Sequence, residues 1–195
     1  MNLPKRIKIH LREIRIDFCV SLQIKCKAMG KINIETLKLF GNADDLVDYV
    51  ALHRFDTENQ GLIHSDEFKA FPESFKDIVY TLDFEILLNS VGLFDAYANV
   101  SEEHFGGIVN SLKRSNNENM ATILESALLI IQSNGLTQEM LATKLAEKLK
   151  IEKTADEPLP ELYPEIRESL AELEENLYNL MEETDYWANV KMLLN

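Results

Sequence analysis

A chain of 195 residues with 46% apolar side chains has enough hydrophobic material for a folded core, so its net charge of −13 marks an acidic folded protein rather than a disordered one. Five prolines and seven glycines are too few for a turn-rich sandwich or barrel, and two cysteines (Cys19 and Cys26) are too few for a disulfide framework. A body this acidic repels nucleic acid and anionic membranes and speeds encounters with basic partners.

The first 30 residues stand apart. They carry seven basic side chains (Lys5, Arg6, Lys8, Arg12, Arg15, Lys25, Lys27) against Glu13 and Asp17, a net of +5, which leaves −18 on residues 31–195. Within them Ile7, Ile9 and Leu11, then Ile16, Phe18, Val20, Leu22 and Ile24, alternate with other residues, the period of a strand. Two readings stay open. One is an edge strand or arm touching the acidic body; the other is an extension outside the native domain, with Met29 as an alternative start. The segment lacks the continuous apolar core and cleavage site of a signal peptide, and no run reaches the ~18 apolar residues of a membrane span. Together with the sparse cysteines, this points to the cytoplasm.

From residue 31 the periodicity is helical. Asn42 is a cap for a helix to about His53, with Asp44 and Asp45 in its first turn and Leu46, Val47, Val50 and Ala51 as its apolar stripe. Pro72 and Glu73 open a second helix carrying Phe75, Ile78, Val79, Leu82, Ile86 and Leu87, which Gly92 interrupts or ends. Ser101 caps a third to about Lys113. Ser115 to Glu118 has capping-box spacing before an apolar face of Met120, Ile123, Leu124, Ala127, Leu128 and Ile131. Gly135 stops that helix, and Thr137 caps another to about Lys150. Residues 151–160 read as a polar linker, 161–183 as the longest helix, and a short last helix carries Trp187, Val190, Met192 and Leu193. The expected fold is all-α: a compact helical bundle over 31–195 with a long acidic C-terminal helix, read as one domain.

That long helix is two-faced. At about 100° per residue, Leu162, Ile166, Leu170, Leu173, Leu177 and Leu180 fall within an arc of roughly 80°. Glu161, Glu165, Glu168, Glu172, Glu175, Glu182 and Glu183 fall within roughly 100° on the other side. Seven carboxylates over about 33 Å approach the order of charge spacing along a DNA strand. Like charges at i,i+4 cost the helix a few tenths of a kcal/mol each, and only Arg167 is near to relieve them. A solvated helix face explains such a row as well as an anionic rail does.

Catalytic signals are missing. His10, His53, His64 and His104 show no metal-protease spacing, no serine sits in a nucleophile elbow, and Gly106-Gly107 is not a phosphate loop. The chain reads as non-enzymatic and without a cofactor. One classical motif remains. Asp56, Gly61, Ile63 and Glu67 stand at positions one, six, eight and twelve of an EF-hand loop. Glu58 and Gln60 replace the shorter side chains usual at positions three and five, and no second loop pairs with it. Calcium binding by Asp56, Glu58, Gln60 and Glu67 is therefore the alternative to an ordinary helical connection.

The stretch Gly92-Leu93-Phe94-Asp95-Ala96-Tyr97-Ala98-Asn99, followed by Val100 to Phe105, resembles the core of the bacterial DNA-mimic protein family, the DMP-nineteen-like domain. That core runs roughly Asn-Gly-Gly-Phe-x-Gln-[Phe/Tyr]-Phe-x-Asn. Gly92, Leu93, Tyr97 and Asn99 match it in kind; Ser90 and Val91 replace its Asn-Gly, and Asp95 replaces its Gln. The likeness covers roughly residues 72–194. It implies an all-α domain, a homodimer, and an acidic surface that imitates duplex DNA to occupy a DNA-binding transcription regulator. On this reading the partner is a basic, DNA-binding protein, contacted through Glu161, Glu165, Glu168, Glu172, Glu175, Glu182 and Glu183, with no direct binding of nucleic acid or membrane. A helical adaptor or immunity-type protein with incidental acidity is the other non-enzymatic reading.

Overall fold

Short polar side chains set where most helices begin, because the first amides of a helix have no partner within it. Asn33 and Thr36 form a reciprocal capping box around α1 (Ile34–Leu37). Asn42 accepts the Asp45 amide at 2.8 Å and starts α2 (Ala43–His53). Two 3-10 turns follow, Thr57–Asn59 and Leu62–His64, and Ser65 then caps α3 (Asp66–Lys69). The computed structural model describes residues 30–152 and 160–194, and the basic alternating segment expected as a strand or an extension lies outside them, as does most of the expected linker. The described residues contain helices and no strand.

The chain divides at Phe71 and Pro72 into two compact units, a finer division than the single domain expected over 31–195. In the first unit Ile32, Leu46, Tyr49, Val50, Leu62, Ile63 and Phe68 are buried. Buried Asn59 ties its irregular part together: it accepts the Ile32 amide at 2.8 Å and donates to the carbonyls of Gly30 and His53, each at 2.7 Å.

The second unit is a helical bundle. It comprises α4 (Glu73–Ala98), α5 (Glu102–Arg114), α6 (Glu118–Ser133), α7 (Gln138–Glu152), α8 (Pro164–Glu183) and α9 (Tyr186–Met192). α4 is the spine, packing against α5, α7, α8 and α9, while α6 packs on α5 and α8. One core joins Leu88, Phe94 and Tyr97 of α4 to Ile108 and Leu112 of α5, Leu124 and Ile131 of α6, Leu141 of α7 and Leu170 and Leu177 of α8. α5 comes close to α4 because Gly107 has no side chain; a Cβ there would stand 2.3 Å from the Tyr80 ring. Polar contacts lock the same pair: Arg114 bridges buried Asp77 at 2.5 Å, Ser111 donates to the Asp77 carbonyl, and His104 Nε2 lies 3.1 Å from Asp83 in a buried pair.

Three boundaries differ from those the sequence suggests. Glu161 and Leu162 precede α8 rather than belonging to it; Tyr163 sits at φ 52°, and Pro164, with its fixed φ, opens the helix. α7 runs on to Glu152, into the stretch read as linker. The capping box at Ser115 does not form, because Ser115 turns its hydroxyl back onto the carbonyls of Ser111 and Leu112 at the end of α5. Asn117 stands at the cap position instead, with no side-chain cap bond; its amide donates to the carbonyl of Tyr186 at 3.2 Å.

Candidate functional site

The helix α8 carries the row of carboxylates. Its inward face is fixed by burial: Ile166, Leu170 and Leu177 are buried, and Leu173 and Leu180 pack partly buried against the same core. The hydrophobic effect on that face decides the rest, since a helix with one apolar stripe turns the opposite side to water. Glu165, Glu168, Glu172, Glu175, Glu182 and Glu183 are accordingly all exposed, and Glu161 is exposed on the approach to the helix. The six helical carboxylates run about 27 Å at about 1.5 Å per residue, shorter than the roughly 33 Å of a helix that begins at Glu161.

None of these seven side chains forms an ion pair or a side-chain hydrogen bond with another described residue. Arg167, the one cation on the helix, does not relieve them. Its guanidinium bonds Asp95 at 2.5 Å and the Leu162 carbonyl at 2.8 Å, and stacks 4.4 Å from the centre of the Phe94 ring. Glu182 and Glu183 lie at the helix C-terminus, where the dipole disfavours negative charge, and no basic residue occupies that last turn. The row is thus a concentrated field facing water.

Glu174, the one glutamate of α8 outside the row, points elsewhere. Its carboxylate accepts the Leu93 amide at 2.9 Å, where α4 breaks at Gly92. Gly92 has φ 79° and ψ 173°, a conformation open essentially to glycine. A Cβ there would also stand 3.1 Å from the Glu174 carboxylate. Tyr178, one turn on, donates its hydroxyl to the Leu88 carbonyl at 2.8 Å. Burial, with the Glu174 charge adding to it, pushes that hydroxyl up to about 12, so it stays a donor at neutral pH. Asp185, just beyond α8, caps α9 by accepting the Ala188 amide.

The other residues singled out from the sequence have structural surroundings. Leu93 and Tyr97 are buried in the core of the second unit, and Asn99 caps the end of α4 by bonding the Asp95 carbonyl. Tyr186 is buried, and Trp187 donates to Glu85 at 2.9 Å, anchoring α9 on α4. In the first unit Gly61 has the left-handed φ of 74° that the sixth position of an EF-hand turn needs. Two of the ligand side chains are engaged elsewhere, while Glu58 and Gln60 are exposed. Asp56 bonds His53 Nδ1 at 2.7 Å, and Glu67 pairs with Lys31 at 3.1 Å. Among the described residues no three His, Cys, Asp or Glu side chains converge as a metal site. No described helix is long and apolar enough to cross a membrane.

Comparison with known proteins yields no match to a family model, a curated protein or a solved structure.

Proposed function

We propose that this protein is a non-catalytic interaction module that binds a basic, DNA-binding protein through the anionic face of α8 and competes with DNA for it. The observation that carries this reading is the row of six exposed helical glutamates, joined by Glu161, with no described cation paired to any of them. A face kept only for solubility gains from mixing both signs, which lowers the repulsion between neighbours on a helix. The only arginine on α8 is instead turned onto Asp95 and Phe94. The spacing of the row, about 5 Å per charge along a rigid helix, is of the same order as that of phosphates along a strand. The resemblance around Gly92, Leu93, Tyr97 and Asn99 points the same way.

The test is retention of partners from cell lysate on the protein and on the variant Glu165→Gln, Glu168→Gln, Glu172→Gln, Glu175→Gln. The expected result is a basic protein held by the unsubstituted chain, released by raised salt and by duplex DNA, and lost from the variant. Retention that is equal on both chains and indifferent to salt and DNA overturns the reading.

A further inference from the structure

Three polar side chains form a second line along α8, distinct from the anionic row. Arg167, Glu174 and Tyr178 are seven and four residues apart, which places them within an arc of about 40° at about 100° per residue. Each bonds α4: Arg167 to Asp95, Glu174 to the Leu93 amide, Tyr178 to the Leu88 carbonyl. The partners descend α4 as the side chains ascend α8, so the two helices run side by side in opposite senses along this seam. Burial of the apolar stripe decides which side of α8 turns inward, but leucine contacts have no preferred direction, so they leave some freedom of roll about that orientation. Hydrogen bonds have a preferred direction. The middle bond is the distinctive one. It requires the break at Gly92, which presents the Leu93 amide, and it requires the absence of a side chain there for the carboxylate to approach.

Building on the interaction reading above, we propose that Glu174 is the positioning residue of the anionic face: held on the Leu93 amide at the Gly92 break, it sets the roll of α8 that turns the exposed glutamates to the partner, and it is itself no part of the contact. The seam lies roughly 110° around the helix from the centre of the row, so a change of roll swings the row toward or away from the rest of the bundle. Glutamine keeps an oxygen that accepts the Leu93 amide and removes the charge; leucine removes the acceptor.

The experiment compares the full chain with Glu174→Gln, Glu174→Leu and Glu175→Gln. Roll is read without any partner, by NMR, as the contact between the Tyr178 ring and Leu88. Binding is read with a fluorescent nona-arginine peptide at low salt. The expected result is that Glu174→Gln keeps both the ring contact and the peptide affinity. Glu174→Leu loses the ring contact and binds about threefold more weakly, and Glu175→Gln keeps the contact but binds about twofold more weakly. The proposal is overturned if the leucine variant retains the ring contact, or if it loses the contact at unchanged peptide affinity. It is overturned equally if Glu174→Gln weakens the peptide as much as Glu175→Gln does, since Glu174 is then one more face carboxylate; that comparison stands even where the leucine variant fails to fold. If the unsubstituted chain binds no peptide, the interaction reading falls on its own. The ring contact then still decides whether Glu174 sets the roll.

Discussion

The loop at 56–67 and the helix α8 are both rich in acid, and they handle it in opposite ways. In the loop, Asp56 is held by His53 and Glu67 by Lys31. Those charges are answered locally, and the loop's order rests on a neutral amide, Asn59. On α8 the acids on the outer face have no described partner, while the helix's own cation is turned inward. The number of carboxylates is therefore a poor guide to function; what matters is whether the fold has already supplied their counter-charges. The loop carries the more specific motif, yet its first and last ligands, Asp56 and Glu67, are engaged. The plainer run of glutamates is the one left open.

Four experiments break or sharpen that contrast. The largest effect belongs to the side of α8 that faces away from the row. Leu177→Ala, at a fully buried position, costs about 2–5 kcal/mol, read by chemical denaturation. Next comes the loop. Asn59→Ala leaves the Ile32 amide and two carbonyls without their partner and costs about 2–3 kcal/mol, read as faster amide exchange across residues 30–71. The outer face behaves differently. Removing four charges by Glu165→Gln, Glu168→Gln, Glu172→Gln and Glu175→Gln leaves stability unchanged or raises it by a few tenths of a kcal/mol as repulsion falls, read by thermal denaturation at low salt. A loss of more than about 1 kcal/mol would show that the row stabilises the fold rather than facing a partner.

The smallest effect concerns a paired acid. The hydrogen bond from Lys76, opposed by burial and aided by the charges of Lys76 and Arg114, holds Glu73 below the usual carboxylate range. A lowered pKa in the folded state means stability that is present above the unfolded pKa and lost as pH falls through the folded one. Because Glu73 is largely exposed, its share is a few tenths of a kcal/mol. The stability of Glu73→Gln should accordingly fall less steeply than that of the unsubstituted chain as pH drops below the ordinary carboxylate range, read by urea denaturation across that range.

Much of the fold was legible because helix signals are local. Asn42 and Ser101 cap where their chemistry says they should, and the leucine spacing of α8 picks out its buried face. The errors fall where a local signal had a competitor. Ser115 had two ways to use its hydroxyl and closed α5 instead of opening α6. Glu161 fits the wheel of α8, but Pro164 is the better first residue, and a wheel cannot show where a helix begins.

By itself, the sequence determined the all-α class, most of the helices and the two faces of α8, because 3.6-residue periodicity and capping chemistry act between residues a few positions apart. Only the tertiary structure decided what individual charges do. Arg167 could have neutralised the row and pairs with Asp95 instead; Glu174 could have extended it and bonds Leu93, 81 positions away in the chain. Gly92 reads as an interruption in any helix, but that the break presents an amide to a carboxylate from α8 depends on two helices lying side by side. Contacts of this kind leave no period in the sequence, and they separate an acid that holds the fold together from one that faces water.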